Sequence, residues 1–310
     1  MSTECLQSEP ITNAMTVDVE DYFQVAAFEK CIRREDWPRW PVRVEDNTRR
    51  VLELFQRRGV HATFFVLGWV AERFPSLVRD ISAAGHEIAS HGFGHERLTH
   101  ISRREFRDGI VRTKHLLEDI TGSAVSGYRA PSYSIGSSTL WAYAELREAG
   151  YRYSSSIVPI RHDLYGMPEA PRFAFLTECS GLLEIPVTTV RLWRRNWPCG
   201  GGGYFRLLPY ALFKRGLGRV NHQDKYPGVF YFHPWEVDPE QPRVPGATLK
   251  NRVRHYLNLT CTAPRIERLM HDFRFDRMDR VFPSPEHADY PVVALRPDGS
   301  SSLQGGVQHA

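Results

Sequence analysis

The sequence predicts an α/β chain folded as a closed or nearly closed βα barrel, and three observations carry that expectation. Apolar runs of strand length alternate with helical patterns along most of the chain, as they do when helices join parallel strands. Six or seven such units follow in series, which favours a barrel over an open doubly wound sheet. No Gly-rich dinucleotide turn follows the first strand. With 310 residues, 42% of them hydrophobic, the chain is long enough to bury a core of that kind.

Taken in order, Ala14-Met15-Thr16-Val17 is an apolar β-type run that closes on the acidic cluster Asp18-Val19-Glu20-Asp21. A loop rich in aromatics follows (Tyr22, Phe23, Phe28, Trp37, Trp40), suited either to stacking on sugar or to covering the barrel. A helix is expected from an N-cap at Asp46 or Asn47 to Gly59 at the C′ position, with Val51, Leu52 and Phe55 on its apolar side. The run from His61 to Leu67 is nearly continuous in apolar residues, as in a strand buried on both faces. Pro75 suits the first turn of the next helix, and Gly85 ends it before a short strand from His86 to Ser90. Phe106, Ile110, Leu117 and Ile120 mark another helix closed by Gly122, and Leu140, Tyr143, Ala144 and Leu146 one closed by Gly150. Strands are expected at Val125 to Tyr128, Leu182 to Val187 and Val229 to Phe232.

Beyond Pro239 a proline cluster leads into helical stretches near residues 248–259 and 264–275. A segment of about fifty residues buries little core of its own, so this extension is expected to pack on the barrel. The boundaries that follow are an N-terminal tail (1–14), the barrel (15–238), the C-terminal extension (239–290) and a Ser-, Gly- and Gln-rich disordered tail (291–310).

The formal charge of +4 is small for this length and the basic residues are scattered in pairs, so nucleic acid is not an expected partner. Weak attraction to an anionic membrane or glycan is compatible with it. The five cysteines are widely spaced, odd in number and form no CxxC pair, which fits a reducing compartment. Residues 1–14 show no basic stretch followed by an apolar one, and no apolar run approaches the roughly 18 residues of a membrane span. The expectation is a soluble cytoplasmic protein, at most peripheral to a membrane.

The chemistry is concentrated at predicted strand ends. In His91-Gly92-Phe93-Gly94-His95 two imidazoles four residues apart can converge on one divalent ion. The acidic cluster after the first strand offers a carboxylate as third ligand. Such a set leaves a fourth position for a water whose pKa falls from 15.7 to roughly 7. Arg129, in Arg129-Ala130-Pro131-Ser132-Tyr133, is placed to fix a carboxylate through a bidentate pair, and His233, in Phe232-His233-Pro234-Trp235, to give a proton to a leaving group. Gly200 to Gly203, flanked by Trp197 and Tyr204, read as a lip that lets a polymer approach or as a plain surface loop. Trp193, Trp197 and Trp235 are candidate stacking platforms or core residues.

Together Thr16-Val17-Asp18-Val19-Glu20-Asp21, His91 to His95, Arg129-Ala130-Pro131 and Phe232-His233 resemble, in order, the motifs of the NodB-like polysaccharide deacetylases, carbohydrate esterase family four. The likeness spans about residues 15 to 235. The Val-Asp-Val-Glu-Asp-Tyr-Phe opening, Gly201 to Arg206 and the Phe-His-Pro-Trp-Glu ending resemble more narrowly the deacetylases encoded with exosortase and exopolysaccharide loci.

That resemblance implies a distorted (β/α)7 barrel that removes N-acetyl groups from an N-acetylated glycan with one divalent metal, zinc first, with cobalt or nickel as alternatives. It implies Asp18 as general base, His91 and His95 as ligands, Arg129 as the group orienting Asp18 and His233 as proton donor. The backbone N–H near Ser132 joins in stabilising the oxyanion, and Pro131, Ser132, Tyr133, Gly203, Tyr204 and Trp235 are the substrate-binding candidates. Two departures stand out. The family pattern pairs two aspartates, whereas Val19 follows Asp18 here; because residues i and i+2 share a strand face, Glu20 is the first choice of carboxylate ligand, with Asp21 the alternative if the chain already turns. Tyr153-Ser154-Ser155-Ser156 stands where many members have an aspartate supporting the arginine. Two other functions compete: a metal-independent C–N hydrolase of the allantoinase or cyclic-imide type, and a non-catalytic glycan-binding protein.

Overall fold

A computed structural model describes residues 10–162 and 165–303. Its strands are β1 (Thr12–Val19), β2 (Thr63–Val66), β3 (Glu87–Ser90), β4 (Gly127–Tyr128), β5 (Tyr153–Ser154), β6 (Phe175–Thr177), β7 (Leu183–Glu184), β8 (Thr189–Leu192), β9 (Arg195–Pro198), β10 (Val229–Phe232), β11 (Arg274–Asp276), β12 (Val292–Leu295) and β13 (Ser301–Leu303). Its α-helices are α1 (Val44–Arg58), α2 (Gly68–Arg73), α3 (Pro75–Ala83), α4 (Arg103–Thr121), α5 (Ala142–Glu148), α6 (Gly202–Leu207), α7 (Tyr210–Arg219), α8 (Leu249–Tyr256), α9 (Thr262–Asp272) and α10 (Met278–Val281).

Seven strands in the order β10-β1-β2-β3-β4-β5-β7 pair in parallel, and the sheet continues through β6, β12 and β13. The architecture is the distorted βα barrel expected from the sequence. Its ladder is interrupted between β7 and β10, where an irregular segment takes the place of a strand. Val229 N–H donates to Thr188 Oγ1 (2.5 Å), Tyr231 N–H donates to the Gly200 carbonyl (2.7 Å), and Gly201 forms a parallel bridge with Tyr231. A side chain at Gly201 would place its Cβ 1.9 Å from the Tyr231 oxygen, and its φ of 125° is one that other residues rarely adopt. The glycine run therefore serves close backbone approach at this seam.

Helix α1 illustrates how the elements are set. It begins at Val44 rather than after Asp46 or Asn47, because the carboxylate of the remote Asp21 accepts the N–H groups of Arg43 (2.7 Å) and Val44 (2.9 Å). It ends at Gly59, whose φ of 62° is the left-handed C′ conformation. Its inner face carries Phe55, which meets Phe64 of β2 and Phe232 of β10 edge to face, with ring centroids 6.1 Å apart in both pairs. All three rings are buried, and truncating one to alanine costs about 3–5 kcal/mol. In α4 the reciprocal bonds between Ser102 and Glu105 form a capping box.

The C-terminal residues touch the barrel at β1 and at α1. β11 runs parallel beside β1, and Arg58 of α1 pairs with Glu267 of α9 at 3.0 Å. The tail departs from expectation. Residues 292–295 and 301–303 form the antiparallel pair β12 and β13, and β12 adds in parallel to β6. Residues 304–310 lie outside the described ones, as do 1–9, while Thr12 to Ala14 of the expected N-terminal tail belong to β1. No helix among the described residues is long and apolar enough to cross a membrane.

Candidate active site

The chemistry-bearing side chains stand where parallel strands end. Asp18 is the penultimate residue of β1 and Glu20 follows its end; His91 follows β3, Arg129 follows β4 and His233 follows β10. One rim of the barrel thus gathers groups separated by more than two hundred positions, as parallel α/β folds do at their carboxyl edge.

Glu20, His91 and His95 are buried, and they offer ligand atoms that all lie within 4.8 Å of one another. The three fit a divalent ion by their chemistry. His91 Nδ1 lies 2.8 Å from the Arg129 carbonyl, which can only accept, so Nδ1 carries the hydrogen and Nε2 keeps its lone pair. Burial, against the pull of Asp18, lowers the His91 pKa to about 4, so the ring is neutral at physiological pH. Glu20 Oε2 has no hydrogen-bond donor although it is buried, and its near neighbour at 2.8 Å is His95 Nε2, another atom of the same set. For Glu20 burial works upward, but the imidazoles of His95 and His233 outweigh it and hold the carboxyl down at about 2. His95 itself sits in the left-handed region at φ 56°, a conformation that costs a non-glycine residue about 1 kcal/mol or more.

Asp21 stands apart from this cluster. One oxygen accepts its neighbour Tyr22 N–H (2.9 Å) and the other the two N–H groups that open α1. The side chain is committed to anchoring a helix, so of the two acids proposed as ligand the structure brings only Glu20 to the histidines. Burial raises the Asp21 pKa to about 6, against those three backbone donors.

Asp18 is held from the opposite side. Arg129, wholly buried, donates from Nη1 to Asp18 Oδ1 (2.6 Å) and to Thr16 Oγ1 (2.8 Å), Thr16 and Asp18 sharing a face of β1. Its remaining donors reach Ser155: Nε to the carbonyl and Nη2 to Oγ, both at 3.1 Å. The serine run thus supplies neutral partners where the resemblance implies an aspartate, and Asp18 is the carboxylate that faces the guanidinium.

His233 completes the rim. Its Nδ1 lies 2.7 Å from Glu236 Oε1, and its Nε2 lies 3.5 Å from Glu20 Oε1 and 3.9 Å from Asp18 Oδ2. Burial alone would lower its pKa; Glu20, then Glu236 and Asp18, outweigh that and raise it to about 9. Glu236 is in turn held at about 2 because Arg206, donating from Nε at 2.6 Å, and His233 overcome the cost of burial. Arg206 reaches the carbonyls of Arg254 and His255 at the end of α8 and of Leu257 just after it, so the extension braces the proton-bearing histidine through two intervening side chains. In the sequence Arg206 and Glu236 only close two motifs of the subfamily resemblance, and neither has a role assigned to it. Their separation of 30 positions hides the pair, although a buried glutamate three residues after a candidate proton donor is a usable signal.

Of the substrate-binding candidates, Trp235 is corrected. It is 4% exposed, with His233 stacked on its ring (5.1 Å) and His255 stacked closer still (4.1 Å), so it buttresses the site instead of offering a platform. Pro131, Ser132 and Tyr133 form a tight turn beside Arg129, with Ser132 and Tyr133 at φ 54° and 52°. Tyr133 is buried edge-on against Tyr231. Gly203 and Tyr204 lie in the first turn of α6, next to the barrel seam, and Gly203 is exposed.

Comparison with known proteins adds to this geometry. Residues 35–154 match the polysaccharide deacetylase family and residues 155–283 a domain of unknown function, DUF3473. Residues 35–154 thus form a polysaccharide deacetylase domain. His91, His95 and Arg129 fall inside the deacetylase match; Asp18, Glu20 and His233 fall outside it. A peptidoglycan-N-acetylglucosamine deacetylase of Bacillus cereus is 36% identical over 84 residues, covering 27% of this chain and 30% of that protein. A peptidoglycan deacetylase of Helicobacter pylori is 31% identical over 109 residues, covering 35% and 36%. The chain thus spans about a third of the length of these relatives. The fold is shared with a Mycobacterium smegmatis protein assigned as a polysaccharide deacetylase and solved by crystallography, at a TM-score of 0.57, 20% identity and 88% coverage of both chains.

Proposed function

We propose that the protein is a metal-dependent hydrolase that removes N-acetyl groups from N-acetylhexosamine units of an exopolysaccharide or its precursor, in the cytoplasm. The observation that carries this reading is the convergence of Glu20, His91 and His95 beside an Asp18–Arg129 pair and a His233 whose pKa is raised to about 9. Glu20, His91 and His95 would hold the ion, zinc or else cobalt or nickel, which would supply Lewis acidity for attack of water on the acetamide. Asp18, aligned by Arg129, accepts a proton from that water. His233, positively charged at neutral pH and fixed through Nδ1, gives its Nε2 proton to the departing amine. The Ser132 N–H is assigned to the developing oxyanion. Peptidoglycan deacetylase relatives and the deacetylase match support the substrate class. The exposed thiols of Cys31, Cys179 and Cys261 support a reducing compartment.

An ordered set of ligand donors disfavours the metal-independent hydrolase, and a part-buried proton donor held between Glu20, Glu236 and Asp18 has no use in a protein that only binds glycan. The test is release of acetate from N-acetylglucosamine oligomers or from the exopolysaccharide by the purified protein supplied with zinc, cobalt or nickel. Metal-dependent release is expected. Binding of the glycan without release assigns the protein to the non-catalytic class.

A further inference from the structure

Charge is distributed unevenly over the surface. From Ile185 to Gln223 the sequence contains no aspartate or glutamate, yet it carries seven arginines and lysines. On the α1 to α5 side, surface arginines such as Arg49, Arg107 and Arg112 are each paired with a carboxylate. In the acid-free stretch Lys214 reaches Asp272, whereas Arg191, Arg194, Arg195, Arg215 and Arg219 form no ion pair among the described residues.

The same stretch holds an unusual hairpin. β8 and β9 pair with each other alone, joined by Trp193 and Arg194 at φ 46° and 63°. Tight hairpin turns require that left-handed conformation and usually obtain it from Asn-Gly or Gly. Here it is imposed on an indole and a guanidinium, and Trp193 is 87% exposed at the tip. Neither burial nor turn chemistry accounts for a tryptophan there. Trp197 is 49% exposed and lies opposite Val190, which faces inward near Gly216 of α7. Leu212 and Arg219, four residues before and three after Gly216, share its stripe of the helix, so they flank the base of the hairpin. Leu212 is 54% exposed, and Leu207 at the end of α6 is 58% exposed.

We propose that this hairpin and the adjoining face of α7 dock the protein on an anionic lipid bilayer. Tryptophan at an exposed tip, exposed leucines on α6 and α7 and arginines without counter-ions match the two demands of that interface: apolar groups for the acyl boundary and cations for anionic headgroups. A soluble anionic glycan meets the charge and the indoles but gives no return for the exposed leucines.

The experiment is cosedimentation of the full chain with phosphatidylcholine vesicles, with and without phosphatidylglycerol. Binding is expected only with the anionic lipid and falls as salt is added. Trp193→Ala with Trp197→Ala is expected to lower the partition coefficient about tenfold or more, and Arg194→Gln about fivefold. Circular dichroism and thermal melting confirm that the exposed substitutions leave the fold intact. A chain that stays in the supernatant with anionic vesicles at low salt overturns the proposal. So does a folded double variant that binds as tightly as wild type, or retention on a soluble anionic polysaccharide that depends on Trp193 while vesicles retain nothing.

Discussion

Two buried glutamates at opposite ends of the barrel have been driven in opposite directions. Glu20, at the carboxyl rim, is held at about 2, whereas Glu87, at the start of β3, is raised to about 7. Both are buried, so desolvation acts on both and neighbours decide the outcome. Glu87 meets hydroxyls and a backbone amide: Thr63 Oγ1 at 2.5 Å and Tyr153 OH at 2.9 Å donate to it, and Asp279 N–H donates from the start of α10. Burial raises it and the charge of Asp279 adds to that, while the hydrogen bonds offset only part. Glu20 meets imidazoles and keeps one oxygen without a donor. One end of the barrel is a sealed polar plug; the other is a set of charges assembled to act on something else.

The contrast breaks first at the reacting groups. Asp18→Asn keeps the shape and its contact to Arg129 but removes the base, and turnover is expected to fall at least about a hundredfold with metal content unchanged. Steady-state acetate release with metal analysis checks both. Next is the acid that the rim does not use. Asp21→Asn puts an amide against backbone donors and is expected to cost about 1–2 kcal/mol of stability in denaturant unfolding without lowering metal stoichiometry.

His233 sharpens the comparison from the charged side. Glu236 and Asp18 beside it favour its charged form, so kcat is expected to fall as pH rises into the alkaline range. Glu236→Gln takes away one of the charges that hold it there, and the alkaline limb of the pH–rate profile should move down by about one pH unit. The smallest effect belongs to the plug. A carboxyl whose folded pKa is raised from 4.5 to about 7 adds stability that is full below the lower value and is lost as pH rises through the higher one. Glu87→Gln should flatten that part of the stability profile, measured by thermal melting across the interval, while changing stability at its acid end by less than about 1 kcal/mol.

The barrel was legible because its strands are apolar on both faces and its helices end on glycines such as Gly59, signals that short-range physics writes into the chain. The rim was legible because histidines, acids and an arginine close those strands. Glu20 was preferred over Asp21 by strand alternation, yet β1 ends at Val19. What separates the two acids is that Asp21 opens α1, a contact across 22 positions that no local pattern encodes. Trp235 looked like a platform because its residue type says nothing of His255 stacking on it from the extension. The strand at Val292–Leu295 was missed because four residues in a polar tail become a strand only when β6 offers its edge. Nor does Trp193-Arg194 announce a hairpin, since it lacks the residues that favour such a turn.

The central claim is that Glu20, His91 and His95 form one metal site. Metal content of the purified protein and of Glu20→Gln, measured by elemental analysis after dialysis against zinc, tests it most directly. One equivalent in the wild type, lost in the variant while the fold and Asp18–Arg129 pairing persist, is the predicted result. A variant that keeps one equivalent with wild-type affinity would contradict it.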